Sequence, residues 1–271
     1  MHLGRPRVIG AWVDGDVIVD CGPSSTLDTL LAGLGDTRPS ALLLTHIHFD
    51  HAGAAGSLVR RWPELPVYVH ERGARHLADP ERLYNSARRL YGDDMERLWG
   101  EMLPVPAENL RVLTGGETVL DHYEVAYTPG HASHHVCFRG EDTAFVGDVG
   151  GVRITPDAIV IPPTPPPDID VELWHDSIEL VRSWNPARLA ITHFGESYDV
   201  AAQLDEVAAR LDAWSQLARE GDRDRFVAVV REEIARDGSA EQAAQYQQVA
   251  PAEQLYAGYE RYWAKRASAA D

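Results

Sequence analysis

Between positions 46 and 51 the chain reads His46-Ile47-His48-Phe49-Asp50-His51, a dense run of side chains that can ligate a metal. His131, Asp148 and His193 follow at intervals, each just beyond an apolar, strand-like stretch. Imidazole and carboxylate donors with no thiolate among them suit zinc, iron or manganese. Histidines 46, 48, 51, 131 and 193 with two aspartates exceed the needs of one tetrahedral ion. They fit two ions with one carboxylate shared. Two ions a few ångström apart can hold a bridging hydroxide, lower its pKa and polarise a scissile carbonyl or phosphoryl oxygen.

Such donors converge only if secondary structure aims them. The continuous apolar run Ala41-Leu42-Leu43-Leu44 predicts a buried strand leading straight into the motif. Side chains at i and i+2 of an extended segment point the same way, so His46 and His48 can grip one ion together. Asp50 and His51 fall where the chain turns into a helix over residues 52–62, which re-aims them toward a second point. Thr128-Pro129-Gly130 is a turn that sends His131 sharply out of a strand. Phe145-Val146-Gly147 and Ala190-Ile191-Thr192 deliver Asp148 and His193 in the same manner.

The remaining pattern is layered α/β. Residues 8–13 and 17–20 read as a hairpin around Asp14-Gly15, and Ser24 or Ser25 can cap a helix carrying Leu27, Leu30, Leu31 and Leu34. Residues 67–69 form the next strand. Residues 71–102 are polar and helical, with Leu83, Tyr84, Ala87, Leu90 and Tyr91 at helix spacing. Strands resume at 111–113, 118–120, 123–127, 134–138 and 143–146. The proline-rich stretch 161–167 reads as a rigid surface loop. A helix over 168–184 and a strand over 188–192 follow. From Tyr198 onward only helices are expected, with Leu204, Val207, Leu211, Trp214 and Leu217 on one face and Leu255, Tyr259 and Tyr262 on another.

Composition narrows the partners. The 271 residues carry 25 basic and 42 acidic side chains, a net charge of −17 that disfavours nucleic acid and anionic membrane surfaces. Cys21 and Cys137 lie in or beside apolar runs and read as buried thiols rather than a disulfide. No stretch reaches membrane-spanning length and the first residues lack an apolar leader, so a cytoplasmic protein is expected.

With these motifs assembled, the sequence resembles the metallo-β-lactamase superfamily, in its glyoxalase II-like branch. The resemblance runs from Val8 to about Gly195 and includes Thr45-His46-x-His48-x-Asp50-His51, Thr128-Pro129-Gly130-His131, Gly147-Asp148 and Thr192-His193-Phe194-Gly195. It implies a four-layered αβ/βα sandwich as catalytic domain over residues 1–197, with a C-terminal helical extension, 198–271, packed on it. It further implies that His46, His48 and His131 hold one zinc and Asp50, His51 and His193 a second, with Mn2+ or Fe2+ as alternatives. Asp148 would bridge both, and Asp50 would orient the hydroxide and handle a leaving-group proton. The implied activity is hydrolysis of an ester, thioester or related acyl bond of a small molecule, with a mononuclear-iron persulfide dioxygenase-like oxidoreductase or a phosphodiesterase as alternatives. Gly151 stands where acyl-homoserine lactonases of the family place a tyrosine, and no basic arm of the tRNA-processing nucleases is present.

Weaker features surround this set. His134 or His135 could orient a ligand or substrate, with His135 the candidate retained, and Tyr198 could point a hydroxyl into the site. Arg88 and Arg89 read as a solvated face. His2, His70, His76, His122 and His175 read as structural or surface histidines. The aromatic face around Leu255 to Trp263 serves either the core or a homodimer.

Overall fold

A computed structural model describes residues 1–236 and 238–270; the side chains of Leu90, Ala269 and Ala270, and with them the expected place of Leu90 on a helix face, lie outside the described residues. A five-stranded sheet runs in the order β1 (Trp12–Asp14), β2 (Val17–Val19), β3 (Ala41–Leu43), β4 (Val67–His70), β5 (Leu110–Leu113). Its first pair is antiparallel and the others are parallel. A six-stranded sheet has the order β11 (Gly195–Ser197), β10 (Arg188–Ile191), β9 (Thr143–Phe145), β8 (Val136–Arg139), β7 (Tyr123–Tyr127), β6 (Thr118–Val119). Here β9 and β10 are parallel, while β10–β11 and β6–β7 are antiparallel. The parallel strands β2 and β3 are buried along their whole length. That explains why they read as unbroken apolar runs instead of alternating ones.

The chain forms two compact units, residues 1–127 with 134–138, and residues 128–133 with 139–271. In the first, helices α1 (Leu27–Leu34), α2 (Phe49–Ala52), α3 (Ala55–Arg61), α4 (Glu71–Ala78), α5 (Glu81–Tyr91) and α6 (Met95–Trp99) accompany the five-stranded sheet. Leu42, Leu44, Ile47, Leu58, Val67 and Val69 are central to its core, and Leu83, Tyr84, Ala87 and Tyr91 of α5 pack against that core. In the second, α7 (Val171–Ser183), α8 (Val200–Arg219), α9 (Arg223–Arg236), α10 (Ala240–Val249) and α11 (Ala252–Ala270) follow one another, with α8 packed on α7 and α11 on α8 and α9. Leu204, Val207, Leu211 and Trp214 are buried as their spacing requires. No helix among the described residues is long and apolar enough to cross a membrane.

Four local expectations change. The hairpin ladder stops at the pair Trp12–Val19, because Asp20 takes φ 54 and leaves the extended region; residues 8–11 are therefore not strand. Ser24 and Ser25 do not cap α1: their hydroxyls donate to the carbonyls of Gly53 and Leu98, and α1 starts after a 3-10 turn without a side-chain cap. A short strand, β11, without a counterpart among the expected elements, pairs with β10 just past His193. The proline-rich segment is not a surface loop, for Ile161 to Thr164 are buried. Proline has no N–H, so burying it leaves fewer backbone donors to satisfy. Thr164 donates from Oγ1 to the Leu255 carbonyl, and a Cβ on Gly258 would come within 1.9 Å of the Thr164 oxygen, so α11 lies directly on this segment. Leu255, Tyr256, Tyr259 and Tyr262 are correspondingly buried within the single chain. Neither cysteine is in a disulfide and both are buried, as expected.

Candidate metal centre

The first part of the site grows from the ends of β2 and β3. Because these strands are parallel and pair Val19 with Leu43, their C-terminal ends leave the sheet side by side. Beyond β3 the chain stays extended, with Leu44 N–H donating to the Tyr68 carbonyl. The i, i+2 geometry expected of His46 and His48 is realised: His46 Nε2 lies 3.0 Å from His48 Nδ1. His48 is the last extended residue before α2, which turns the chain at Phe49 and sets His51 beside His46, ring centroids 3.9 Å apart.

Asp20, at the end of β2, organises this cluster and is fully buried. Its Oδ1 accepts the Thr45 N–H at 2.8 Å. Its Oδ2 accepts the Thr45 hydroxyl at 2.8 Å and His51 Nδ1–H at 2.7 Å. Two tautomers follow. His51 must carry its proton on Nδ1, so Nε2 presents a lone pair. The Thr45 hydroxyl has spent its proton on Asp20, so at 3.1 Å it accepts from His46 Nδ1, and His46 Nε2 also presents a lone pair. His46 Nε2 lies 3.0 Å from His48 Nδ1, close enough to accept a proton from a neutral His48 ring or for both nitrogens to ligate one cation instead.

The second part is built the same way from its own elements. Gly130 has φ 136, and a Cβ there would lie 2.3 Å from Trp174 Cα on α7, so glycine alone lets the turn before His131 sit against that helix. Gly130→Ala is expected to cost about 3–5 kcal/mol, overpacking plus backbone strain, read as a large drop in melting temperature. His131 Nδ1 donates to the Pro163 carbonyl at 2.8 Å, so its Nε2 is again the lone-pair nitrogen, 3.2 Å from Asp148 Oδ2. His193 Nε2 lies 3.4 Å from Asp148 Oδ1. Asp148 thus turns one oxygen to each imidazole. It sits in a 3-10 turn, Gly147–Gly150, whose Val149 carbonyl accepts the Trp174 indole N–H at 3.2 Å. The same indole stands edge-on to His131, centroids 5.5 Å apart.

The ligand-type side chains of the first unit are His46, His48, Asp50 and His51, and those of the second are His131, Asp148 and His193. All are buried except His48 and Asp50, which are half-buried. The donor set therefore fits zinc, manganese or iron.

The weaker candidates are placed as follows. His135 is fully buried, its ring 5.0 Å from that of His46 and nearly parallel to it. His134 stacks on the same ring at 6.0 Å and meets His48 edge-on. Tyr198 is 67% exposed and its hydroxyl donates to Glu196 at 2.8 Å. Arg88 and Arg89 are exposed. His70 accepts the Arg72 N–H at the start of α4, stacks on Tyr127, and is held below the usual histidine pKa chiefly by burial. Burial, reinforced by the Asp20 charge, pushes the Cys21 thiol up and leaves it unreactive. Sequence reasoning missed Asp20, Trp174 and the Pro163 carbonyl. The one available signal was a carboxylate closing the apolar run Val17-Ile18-Val19.

Residues 13–193 match the sequence profile of the Metallo-beta-lactamase superfamily. A hydroxyacylglutathione hydrolase of Xylella fastidiosa (strain M12) is 36% identical over 132 residues, 49% of this chain and only 40% of that relative's length. The chain also resembles ST1585, a metallo-beta-lactamase fold-containing protein of Sulfurisphaera tokodaii, 29% identical over 160 residues covering 57% of this chain and 60% of the relative. The crystal structure of ST1585 superposes with a TM-score of 0.66 over 93% of both chains, at 21% identity. That of TTHA1623 in a di-iron-bound form gives 0.56 at 27% identity, covering 76% of this chain and 97% of the other.

Proposed function

Because the chain belongs to the metallo-β-lactamase superfamily, with the αβ/βα fold that goes with it, we propose that it is a binuclear metallo-hydrolase cleaving an ester, thioester or related acyl bond of a small molecule. The cluster His46, His48 and His51 of one unit and the set His131, Asp148 and His193 of the other carry this reading. His46, His48 and His131 would hold one ion, Asp50, His51 and His193 the other, and Asp148 both. When bound, the ions supply Lewis acidity toward a carbonyl oxygen and acidify water. The chain's own residues supply the geometry. Hydrogen bonds on the far nitrogens of His46, His51 and His131 fix each ring with a lone pair on Nε2. The Asp50 carboxyl is 20% exposed against 5% for Asp148, so Asp50 is the carboxylate placed to pass a proton between a leaving group and solvent.

Zinc is the first metal to expect from this donor set, with manganese and iron alternatives; TTHA1623 holds two irons in its described form. Thioesters are the first substrates to test, because the Xylella relative is named a hydroxyacylglutathione hydrolase. The test is elemental analysis of protein purified without added metal, followed by assays on thioesters, lactones and phosphodiesters. About two ions per chain with chelator-sensitive thioester or ester cleavage is the expected result. Occupancy and activity should fall together below about pH 6, as imidazole ligands take up protons. One iron per chain with oxygen uptake on sulfur substrates would replace this reading with an oxidoreductase, and cleavage of phosphodiesters alone would replace the acyl substrate.

A further inference from the structure

We propose that Gln203, on the helix following β11, is a positioning residue that fixes Asp148 and His193 relative to one another; the inference rests on the metal-centre reading above. Gln203 is fully buried in the first turn of α8, where its backbone N–H donates to Asp199 O. Both ends of its amide are engaged. Nε2 donates to the Gly150 carbonyl at 2.8 Å, and Oε1 accepts from Arg153 Nη1 at 2.9 Å. Gly150 ends the turn that carries Asp148, and that turn is closed by the Gly151 N–H on the Asp148 carbonyl at 3.0 Å. Arg153 reaches the other ligand through its backbone: its N–H donates to the His193 carbonyl, and its own carbonyl accepts from Phe194 N–H. Val152 completes the link by pairing with His193 on one side and Ile161 on the other. One side chain therefore connects the backbone under Asp148 with the backbone under His193.

The surroundings show that this link is held in place. One turn along α8, Val207 packs so close to Gly151 that a Cβ there would lie 2.7 Å from Val207 Cγ2. Arg153 makes further bonds to the Ser197 hydroxyl at 3.4 Å and to the Pro156 carbonyl. A buried amide is costly unless both its groups are paired, and an aliphatic side chain would fill the same space at lower cost. What the glutamine adds is direction. It is the means by which the C-terminal helices reach the metal-binding geometry without touching an ion.

The experiment compares the wild type with Gln203→Leu and Gln203→Glu. Gln203→Leu removes both bonds. Gln203→Glu keeps an acceptor for Arg153 and sets a carboxylate against the Gly150 carbonyl. Zinc titration calorimetry gives stoichiometry and affinity, Co2+ absorption reports ligand geometry, and thermal melts of the metal-free proteins report the fold. The expected result is a 10–100-fold weaker second equivalent, an altered Co2+ spectrum, and kcat on the best ester or thioester lowered 10–100-fold at unchanged KM. The first equivalent should weaken less than the second. Wild-type affinity, spectrum and kcat in both variants overturn the proposal. So does a loss shared equally by both equivalents and by the metal-free melting temperature, which marks a general packing defect. If Gln203→Leu does not fold, Gln203→Glu decides between the same outcomes. A wild type that binds no ion overturns the metal-hydrolase reading and this inference with it, whereas two ions held with the same affinities in all three proteins overturn this inference alone.

Discussion

Replacing Asp20 by alanine is expected to destabilise the metal-free protein by about 3–5 kcal/mol and to weaken metal retention 10–100-fold, although Asp20 is not a ligand. Three donors would lose their acceptor: the Thr45 N–H, the Thr45 hydroxyl and His51 Nδ1–H, all buried with it. An unsatisfied buried donor costs about 1–3 kcal/mol, and losses within one network do not simply add. Alanine at φ 54 adds backbone strain that asparagine avoids, so Asp20→Asn separates the two effects. With asparagine the backbone is tolerated, but the amide presents one acceptor where the carboxylate presents two. The His46 and His51 tautomers are then no longer dictated. Asp20→Asn should therefore keep much of the stability and still lose metal affinity. Denaturant unfolding without metal and zinc titration measure the two quantities. An alanine variant within about 1 kcal/mol of wild type would show that the network does not hold the strand ends together.

The second large effect is expected at Asp148. Asp148→Asn should lower kcat/KM by about 10²–10³-fold or more, the scale seen when one electrostatic contributor is removed from an active site, and should leave at most one tightly held ion per chain. In the native chain one carboxylate oxygen faces His131 Nε2 at 3.2 Å and the other faces His193 Nε2 at 3.4 Å. An amide keeps one oxygen and turns an NH2 group toward the other imidazole, where it donates to the lone pair a metal would use. The charge is lost and a ligand nitrogen is occupied in one step. Elemental analysis and steady-state kinetics check both parts. Two tightly bound ions with wild-type kcat/KM in Asp148→Asn would remove Asp148 from its shared position.

The donors themselves were legible because their signal is local. His46 and His48 stand two apart on an extended segment and point together, as that spacing requires. The strand ends before Asp148 and His193 were marked by the apolar runs that precede them. The buried faces of α8 and α11 followed from 3.6-residue periodicity. The failures have a common cause. Whether residues 161–164 are surface or core, and whether the aromatic residues of α11 face a partner or their own chain, depends on what packs against them. The close approach of Gly258 to Thr164 answers both questions at once.

By itself, then, the sequence determined the donor types, their order, and the strand and helix termini that aim them, since each depends on neighbours a few residues away. Only the tertiary structure decided what holds those donors in one protonation state and one orientation. Asp20 reaches Thr45 and His51 because β2 and β3 pair in parallel register. His131 is fixed by a carbonyl of a buried proline segment 32 residues onward. Gln203, 53 residues beyond Gly150, bonds the Asp148 turn and, through Arg153, the backbone at His193. The physical reason is that a hydrogen bond acts over about 3 Å whatever the separation along the chain, and no periodicity in the sequence records which distant strand, loop or helix will bring its partner within that reach.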